Sequence, residues 1–348
     1  MSRAVLLPTP GDPFLLQYWL ELYKRYWKNS VDSLYVYVNS EIPDDVIIFN
    51  AELLDEVGAK QILWANTMID HGKALEELLK LVDEDYVLLI EDDGFIFNGA
   101  KVEASFLHLE QGPYKVVASK RGSCSQSILD MATIKWDLNY DGFGDTGCNF
   151  WPNFLFIDTK ILKSIGGHFG SSDWQAGEMV EGLDMRTPEF AVGDTFVSAS
   201  LRIRAELDKL IPVEPHQPLR GDTLIWYEPQ YHGATDDMVD YNKRQGVWNP
   251  ECCWTHAGSL STGVMNLLNL EKDLPKNMAN TEQEKLELER RVMYWQIFWE
   301  NAKPKGIEKF HEDYGTAIKR LIAHYELNEG RINQRKAAYY EVLPCQNS

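Results

Sequence analysis

Apolar residues follow two rhythms along this chain. Arg3 to Leu7 is a short, nearly unbroken apolar run cut off by Pro8, Pro10 and Gly11, the pattern of a buried strand. After the turn Thr9-Pro10-Gly11-Asp12-Pro13, the residues Phe14, Leu15, Trp19, Leu22 and Tyr23 recur at helical spacing. Asp12 suits the N-cap of that helix and Pro13 its first turn. Leu34 to Val38 reads as a second strand, closed by Asn39-Ser40, and Lys60 to Trp64 as a third. Between them, Val46 to Leu54 is apolar enough to fit helix or strand. Asp70 to Leu79 is a loop feeding an amphipathic helix whose apolar face is Leu75, Leu78, Leu79 and Val82. Tyr86 to Ile90 follows as another buried strand. Strand and helix in this alternation predict an α/β protein with a mainly parallel sheet and right-handed crossovers. Ligands on such sheets bind beyond the C-terminal strand ends, where Thr9, Asn39 and Glu91 to Asp93 should gather.

Further strands are expected at Tyr114 to Ser119 and Asn153 to Asp158, the latter followed by a short helix, Thr159 to Ile165, ending at Gly166-Gly167. Gly193-Asp194 is expected to open a helix running through Arg202 and Arg204. Pro, Gly and aromatic residues dominate from Ile211 to Gly258, which predicts irregular loops with short strands. The texture then changes. Thr281 to Lys303, Gly306 to Leu327 and Gly330 to Val342 carry helical periodicity with interspersed charges. The expected organisation is a sheet-based domain over residues 1–258 and a helical C-terminal appendage over residues 259–348.

Length and composition are those of a soluble globular protein, with 348 residues and ample apolar material for a core. No apolar run is long enough to span a membrane, and the start reads as a strand, not a signal peptide. The five cysteines, Cys124, Cys148, Cys252, Cys253 and Cys345, show no paired metal spacing. They point to a reducing, cytoplasmic compartment. The net charge of −19 is uneven: from Glu271 onward 13 Lys and Arg meet 13 Asp and Glu, so the rest holds 21 against 40. An acidic body disfavours broad contact with a phosphate backbone.

The most informative chemistry lies where the strand from Tyr86 ends in Glu91-Asp92-Asp93 before apolar residues resume. Carboxylates packed this closely repel one another unless a cation neutralises them. Hard oxygen ligands suit Mg²⁺ or Mn²⁺, which keep open positions for water and substrate phosphates. The plainer reading is an acidic turn that stops a strand. His256, in Trp254-Thr255-His256, and His232 are candidate nitrogen ligands.

Together these pieces resemble a GT-A fold glycosyltransferase, most of all the family-2 group of inverting enzymes that use nucleotide sugars. Asp70-His71-Gly72-Lys73-Ala74 resembles that family's N-x-G-K-A segment, and Glu91-Asp92-Asp93 its DxD-type motif. Leu162-Lys163-Ser164-Ile165-Gly166-Gly167-His168-Phe169 is similar to its lxxiGGF element, with His168 inserted. Gly193-Asp194-Thr195-Phe196 through Arg202 is similar to its acid-led helix start, with Gly193 in place of the usual acid. The resemblance covers residues 1–258 and implies a Rossmann-like GT-A sheet and a metal on Glu91 and Asp93 completed by a C-terminal histidine, preferentially His256. It implies a nucleotide-sugar donor, with a UDP-sugar first, bound by Thr9, Asp12, Asn39, Gly72, Lys73 and Asp92. It also implies Asp194 as general base, with Asp173, Glu178 and Glu181 as competitors. The acceptor is left open between a glycan, a protein, a small molecule and a modified DNA base. The processive membrane synthases are unlike this chain, which lacks their QxxRW motif.

Other patterns carry less. Asp137 to Asp145 matches the start of an EF-hand loop, but Cys148 stands where a bidentate Glu is needed. Lys120 and Arg121 are secondary phosphate or acceptor candidates. Trp151, Trp174, Trp226, Trp248 and Trp254 could stack on a sugar or base, whereas Trp295 and Trp299 are spaced to pack a helix on the body. Two other functions fit the same fold. A nucleotidyltransferase would carry a Gly-rich loop after the first strand, which Thr9-Pro10-Gly11-Asp12 is not, and a non-catalytic sugar- or protein-binding module would show binding without turnover.

Overall fold

The computed structural model describes residues 1–119, 152, 154–170, 177, 179–180, 185–186, 195–211, 221–228, 254–256, 260 and 281–342. The chain enters through β1 (Arg3–Thr9) and turns into α1 (Pro13–Leu22), with Asp12 accepting from the backbone N–H groups of Phe14 and Leu15 as the expected N-cap. β2 (Ser33–Val38), α2 (Asp44–Val57), β3 (Gln61–Trp64), α3 (His71–Leu79) and β4 (Tyr86–Leu89) complete the first half. The ambiguous segment from Val46 is therefore helix. Asp44 and Asp45 sit in its first turn, and Gly58 closes it with a left-handed backbone, φ 73°.

After β5 (Gly94–Ile96) comes α4 (Gly99–Gln111), a helix the periodicity did not single out. β6 (Val116–Ser119), β7 (Leu155–Asp158), α5 (Thr159–Ser164), the short pair β8 (Met179–Val180) and β9 (Met185–Arg186), α6 (Val197–Lys209), β10 (Ile225–Glu228) and β11 (Trp254–His256) follow. The chain continues through α7 (Glu282–Asn301), α8 (Glu308–His324) and α9 (Glu329–Val342). α6 opens at Val197, later than the expected Gly193-Asp194; its cap position is Phe196, held at φ 71°.

The main sheet has seven strands in the order β10-β6-β7-β4-β1-β2-β3. β7 runs antiparallel to β4 and β6, and the other pairings are parallel. This is the expected Rossmann-like, mainly parallel α/β sheet. Side chains alternate across it with period two. Val5, Leu7, Val36, Leu88 and Phe156 enter one apolar cluster, and Ala4, Leu6, Tyr35, Val87, Leu89 and Leu155 the other. α3, α5 and α6 cover the second face, while α1, α2, α4 and the C-terminal helices share the first. A sheet covered on both faces explains strands that are apolar throughout.

The C-terminal helices belong to the same continuous core. Phe95 of β5 packs against Tyr18 of α1 and Phe298 of α7 with ring centroids 5.4 and 5.8 Å apart. Trp295 is buried as expected, and Trp299 stacks on His311 of α8 at 5.1 Å. Glu289, fully buried on α7, accepts two hydrogen bonds from Arg331 of α9, at 2.9 and 2.8 Å, and one from the backbone N–H of Asn328 at 2.9 Å. Among the described residues, no helix is long and apolar enough to cross a membrane.

Candidate active site

β1 and β4 end side by side, and that adjacency builds the site. The β1–β4 ladder runs out at Leu6 opposite Leu89, after which the N–H of Ile90 still donates to Leu6 O at 3.2 Å. The chain then turns through Asp92 and Asp93, with the N–H of Gly94 donating to Glu91 O at 3.0 Å. This turn buries both aspartates to 2% exposure. At the end of β1 the Thr9 hydroxyl donates to Asp92 Oδ2 at 2.7 Å and accepts from the N–H of Gly11 at 3.0 Å. Asn39, at the end of β2, donates its N–H to Thr9 O at 2.7 Å. Thr9, Asn39 and the acidic triplet thus gather at one edge, as the strand order implied.

Burial raises the pKa of Asp92 well above the ordinary carboxylate value, and repulsion from Asp93 adds to it; the Thr9 hydroxyl opposes both. Asp12 is pushed up from 3.8 to about 6 by burial, against the two backbone N–H groups it accepts from. Asp93 Oδ2 accepts from the N–H of Leu260 at 3.2 Å. β11 pairs antiparallel with β5 so that His256 stands opposite Gly94, the residue after Asp93. The chain around His256 therefore reaches the acidic turn from far along the sequence.

Glu91 faces a different partner. The Nδ1 atom of His71, the first residue of α3, lies 3.2 Å from Glu91 Oε1. Burial works to lower the pKa of this imidazole, but Glu91, helped by Asp93 and Asp70, outweighs it and raises the value. Its Nε2 atom is buried with no hydrogen-bond partner among the described residues. His71 is the residue sequence reasoning passed over. It lay inside a motif valued for its Gly and Lys, and only tertiary structure sets it beside the triplet.

The other expected nucleotide residues have structural tasks. Asn39 makes a two-point bridge to Ile69, donating to its carbonyl at 2.8 Å and accepting from its N–H at 2.9 Å. That bridge fixes the approach to α3. Gly72 lies so close to the 169–170 backbone that an added Cβ would fall 2.0 Å from Phe169 O. Lys73 pairs with Glu76 at 3.0 Å, and Glu76 also accepts from the N–H of Phe169 at 2.9 Å. The N–H of Phe196 donates to Phe169 O at 2.8 Å, and the two rings sit 4.8 Å apart. Three separated motifs, around Gly72, Phe169 and Phe196, are therefore stitched together.

Several sequence candidates lie outside the described residues: Asp194, Asp173, Glu178, Glu181, His232, Lys120, Arg121, the 137–145 loop and all five cysteines. The same holds for Trp151, Trp174 and Trp248. Trp226 stacks on His108 at 4.4 Å and so anchors β10 to α4. A cavity of about 260 Å³ between α1 and α7, lined by Tyr18, Tyr26 and Phe298 among others, contains none of the candidate donors.

Carboxylate oxygens and imidazole nitrogens are the donor set of a small divalent cation. Among the described residues, however, no three His, Cys, Asp or Glu side chains converge as a complete metal cage. Mg²⁺ and Mn²⁺ sites of the phosphate-handling kind normally leave positions to water and phosphate, so the partial set fits them.

No known sequence-family profile matches the chain, and no curated protein matches it in sequence. Solved structures do share features with it. One is a mannosyltransferase from Pyrobaculum calidifontis in complex with GDP-Man and Mn²⁺, at 11% identity and a TM-score of 0.40, covering 98% of this chain and 85% of that one. Another is glucosyl-3-phosphoglycerate synthase from Mycobacterium tuberculosis in complex with Mn²⁺, UDP and glucosyl-3-phosphoglycerate, at 14% identity and a TM-score of 0.36, covering 72% of this chain and 81% of that one. A 4-diphosphocytidyl-2C-methyl-D-erythritol synthase from Anaerococcus prevotii follows at 14% identity and a TM-score of 0.31, covering 47% of this chain and 73% of that one. Likeness at this level assigns neither family nor reaction, which rest on the residues.

Proposed function

We propose that the chain is a divalent-metal-dependent glycosyltransferase that moves one sugar from a nucleoside-diphosphate donor to an acceptor hydroxyl. The observation that carries this reading is the buried Asp92-Asp93 turn at the shared edge of β1 and β4, bonded by Thr9 and approached by β11. Two buried, mutually repelling carboxylates at the ligand edge of a parallel sheet are a poor way to end a strand and a good way to receive a cation.

Bound Mg²⁺ or Mn²⁺ would supply charge compensation to the departing diphosphate, held by Asp93 with an oxygen of Glu91 or Asp92 and a histidine nitrogen, His256 being the expected one. The chain's own groups do the remaining work. Thr9 orients Asp92 by donating to Oδ2, so the carboxylate does not have to be arranged when the ligand arrives. Lys73, 37% exposed and paired with Glu76, would trade that carboxylate for a phosphate oxygen. Asp194 precedes Phe196 by two residues, and Phe196 is tied to Phe169, next to the turn that meets Gly72. In this reading Asp194 takes the proton of the acceptor hydroxyl as its oxygen attacks the sugar carbon opposite the diphosphate. The acidic charge of the body favours a sugar or small hydroxyl compound over duplex DNA as acceptor.

Incubation with UDP-, GDP- and dTDP-sugars and Mn²⁺ should release nucleoside diphosphate from one preferred donor. Asp93→Ala, which removes a proposed metal ligand, should abolish the metal-dependent release, and Asp194→Asn should lower it at least about 100-fold, the scale of a lost acid–base group. Equal release by both variants would refute the assignment, and tight donor binding without any release would make the chain a binding module.

A further inference from the structure

Glu91, Asp93 and His256 were the expected metal ligands, yet Glu91 is engaged by an imidazole that no motif assigned. Its Oε1 lies 3.2 Å from His71 Nδ1, and the other ring nitrogen, Nε2, is buried without a partner among the described residues. A buried polar atom left unmet in a native structure calls for an explanation, and a bound ion is one. A neutral imidazole that donates Nδ1–H to a carboxylate has its tautomer fixed, with a lone pair on Nε2. That arrangement of carboxylate, histidine and vacant nitrogen is how proteins orient a histidine for a metal ion.

We propose that His71 supplies the nitrogen ligand of the divalent cation, through Nε2, and that Glu91 is the positioning residue that orients it instead of a ligand. This rests on the glycosyltransferase reading for the cation's presence, but it changes which residues hold it. Three features of the fold support the placement. His71 is the first residue of α3, and Asp70 caps that helix by accepting from the N–H of Gly72 at 2.9 Å. Gly72 presses the same turn onto Phe169, so the backbone carrying the imidazole has little room to shift. Asp93 is close enough to bear electrostatically on the ring. An imidazole with one or two carboxylates, completed by diphosphate oxygens and water, is a donor set that Mn²⁺ accepts.

The test is pulsed electron paramagnetic resonance of the full chain with Mn²⁺ and UDP or GDP, which detects the nitrogen of a directly bound imidazole, alongside Mn²⁺ titration. The parent should show the nitrogen signal. His71→Gln should lose it and weaken Mn²⁺ at least about tenfold, while His256→Gln keeps it. Glu91→Gln should keep the signal and weaken Mn²⁺ about 10- to 100-fold, as loss of an orienting partner does. Circular dichroism melting confirms that each variant is folded, and Glu91→Gln serves should His71→Gln fail to fold. A nitrogen signal that survives in His71→Gln, vanishes in His256→Gln, or is absent from a Mn²⁺-bound parent overturns this proposal alone. A parent that binds no Mn²⁺ with any nucleoside diphosphate overturns it together with the glycosyltransferase reading.

Discussion

Burial sets the energetics of single residues at the candidate site. Asp12 caps α1 but is almost fully buried, and burial moves its pKa from 3.8 to about 6. A carboxyl whose pKa is raised on folding binds its proton more tightly in the folded chain. Its contribution is intact below about pH 4 and is lost as the pH climbs through 6, a penalty of about 3 kcal/mol above that window. Asn caps a helix as well as Asp and cannot ionise. Asp12→Asn should therefore melt level with the parent near pH 4 and above it near pH 8, by calorimetry; a melting temperature no higher than the parent's near pH 8 would show that burial does not strain the carboxylate. The cap was readable from Asp12-Pro13 because capping is local. The raised pKa was not, since it depends on what covers the residue. The same division holds at the acidic turn: the end of an apolar run announced it, while the Thr9 hydroxyl on Asp92 and the His71 ring on Glu91 depend on contacts across 83 and 20 positions of sequence.

At the scale of elements, the nearly unbroken apolar runs located β1, β2 and β4, because a doubly covered sheet leaves no polar face to interrupt them. Val46 to Leu54 stayed ambiguous for the opposite reason. Its β-branched and aromatic residues pack equally well in either state, and the deciding signals, acids at Asp44-Asp45 and a left-handed Gly58, stand at its ends. α6 starts later than expected because Phe196 turns the chain with a positive φ and fastens it to Phe169, a tertiary tie with no local signature. The β5–β11 pair joins segments about 160 positions apart and had no sequence signal either. Gly72 is a close backbone approach between elements at the candidate site. A methyl group there would meet Phe169 O at 2.0 Å, so α3 and the Phe169 turn must part. Gly72→Ala should cost about 1–3 kcal/mol or more in denaturant unfolding and weaken Mn²⁺-nucleotide binding as well. Unchanged stability would mean that the two segments are not in contact.

Over the whole molecule, the C-terminal helices stand behind the acidic turn. Phe95 follows Asp93 by two residues and is enclosed by Tyr18, Tyr294 and Phe298. Helical periodicity made the three helices legible, but it could not show that they share one core with the sheet. Removal of residues 281–348 should yield a chain without a cooperative melt, because Phe14, Tyr18 and Phe95 would face water at a cost of about 1.5–3 kcal/mol each. A truncated form that melts as sharply as the parent would show the sheet domain to be self-sufficient. The central claim is that this edge of the sheet takes a cation and a nucleoside diphosphate together. Thermal unfolding with UDP- and GDP-sugars, each with and without Mn²⁺, tests it most directly. One donor should raise the melting temperature only with the metal, by mass action of about 2.7 kcal/mol at a hundredfold excess over its dissociation constant, and Asp93→Ala should abolish the rise. A rise that is indifferent to Mn²⁺, or that persists undiminished in Asp93→Ala, would contradict it.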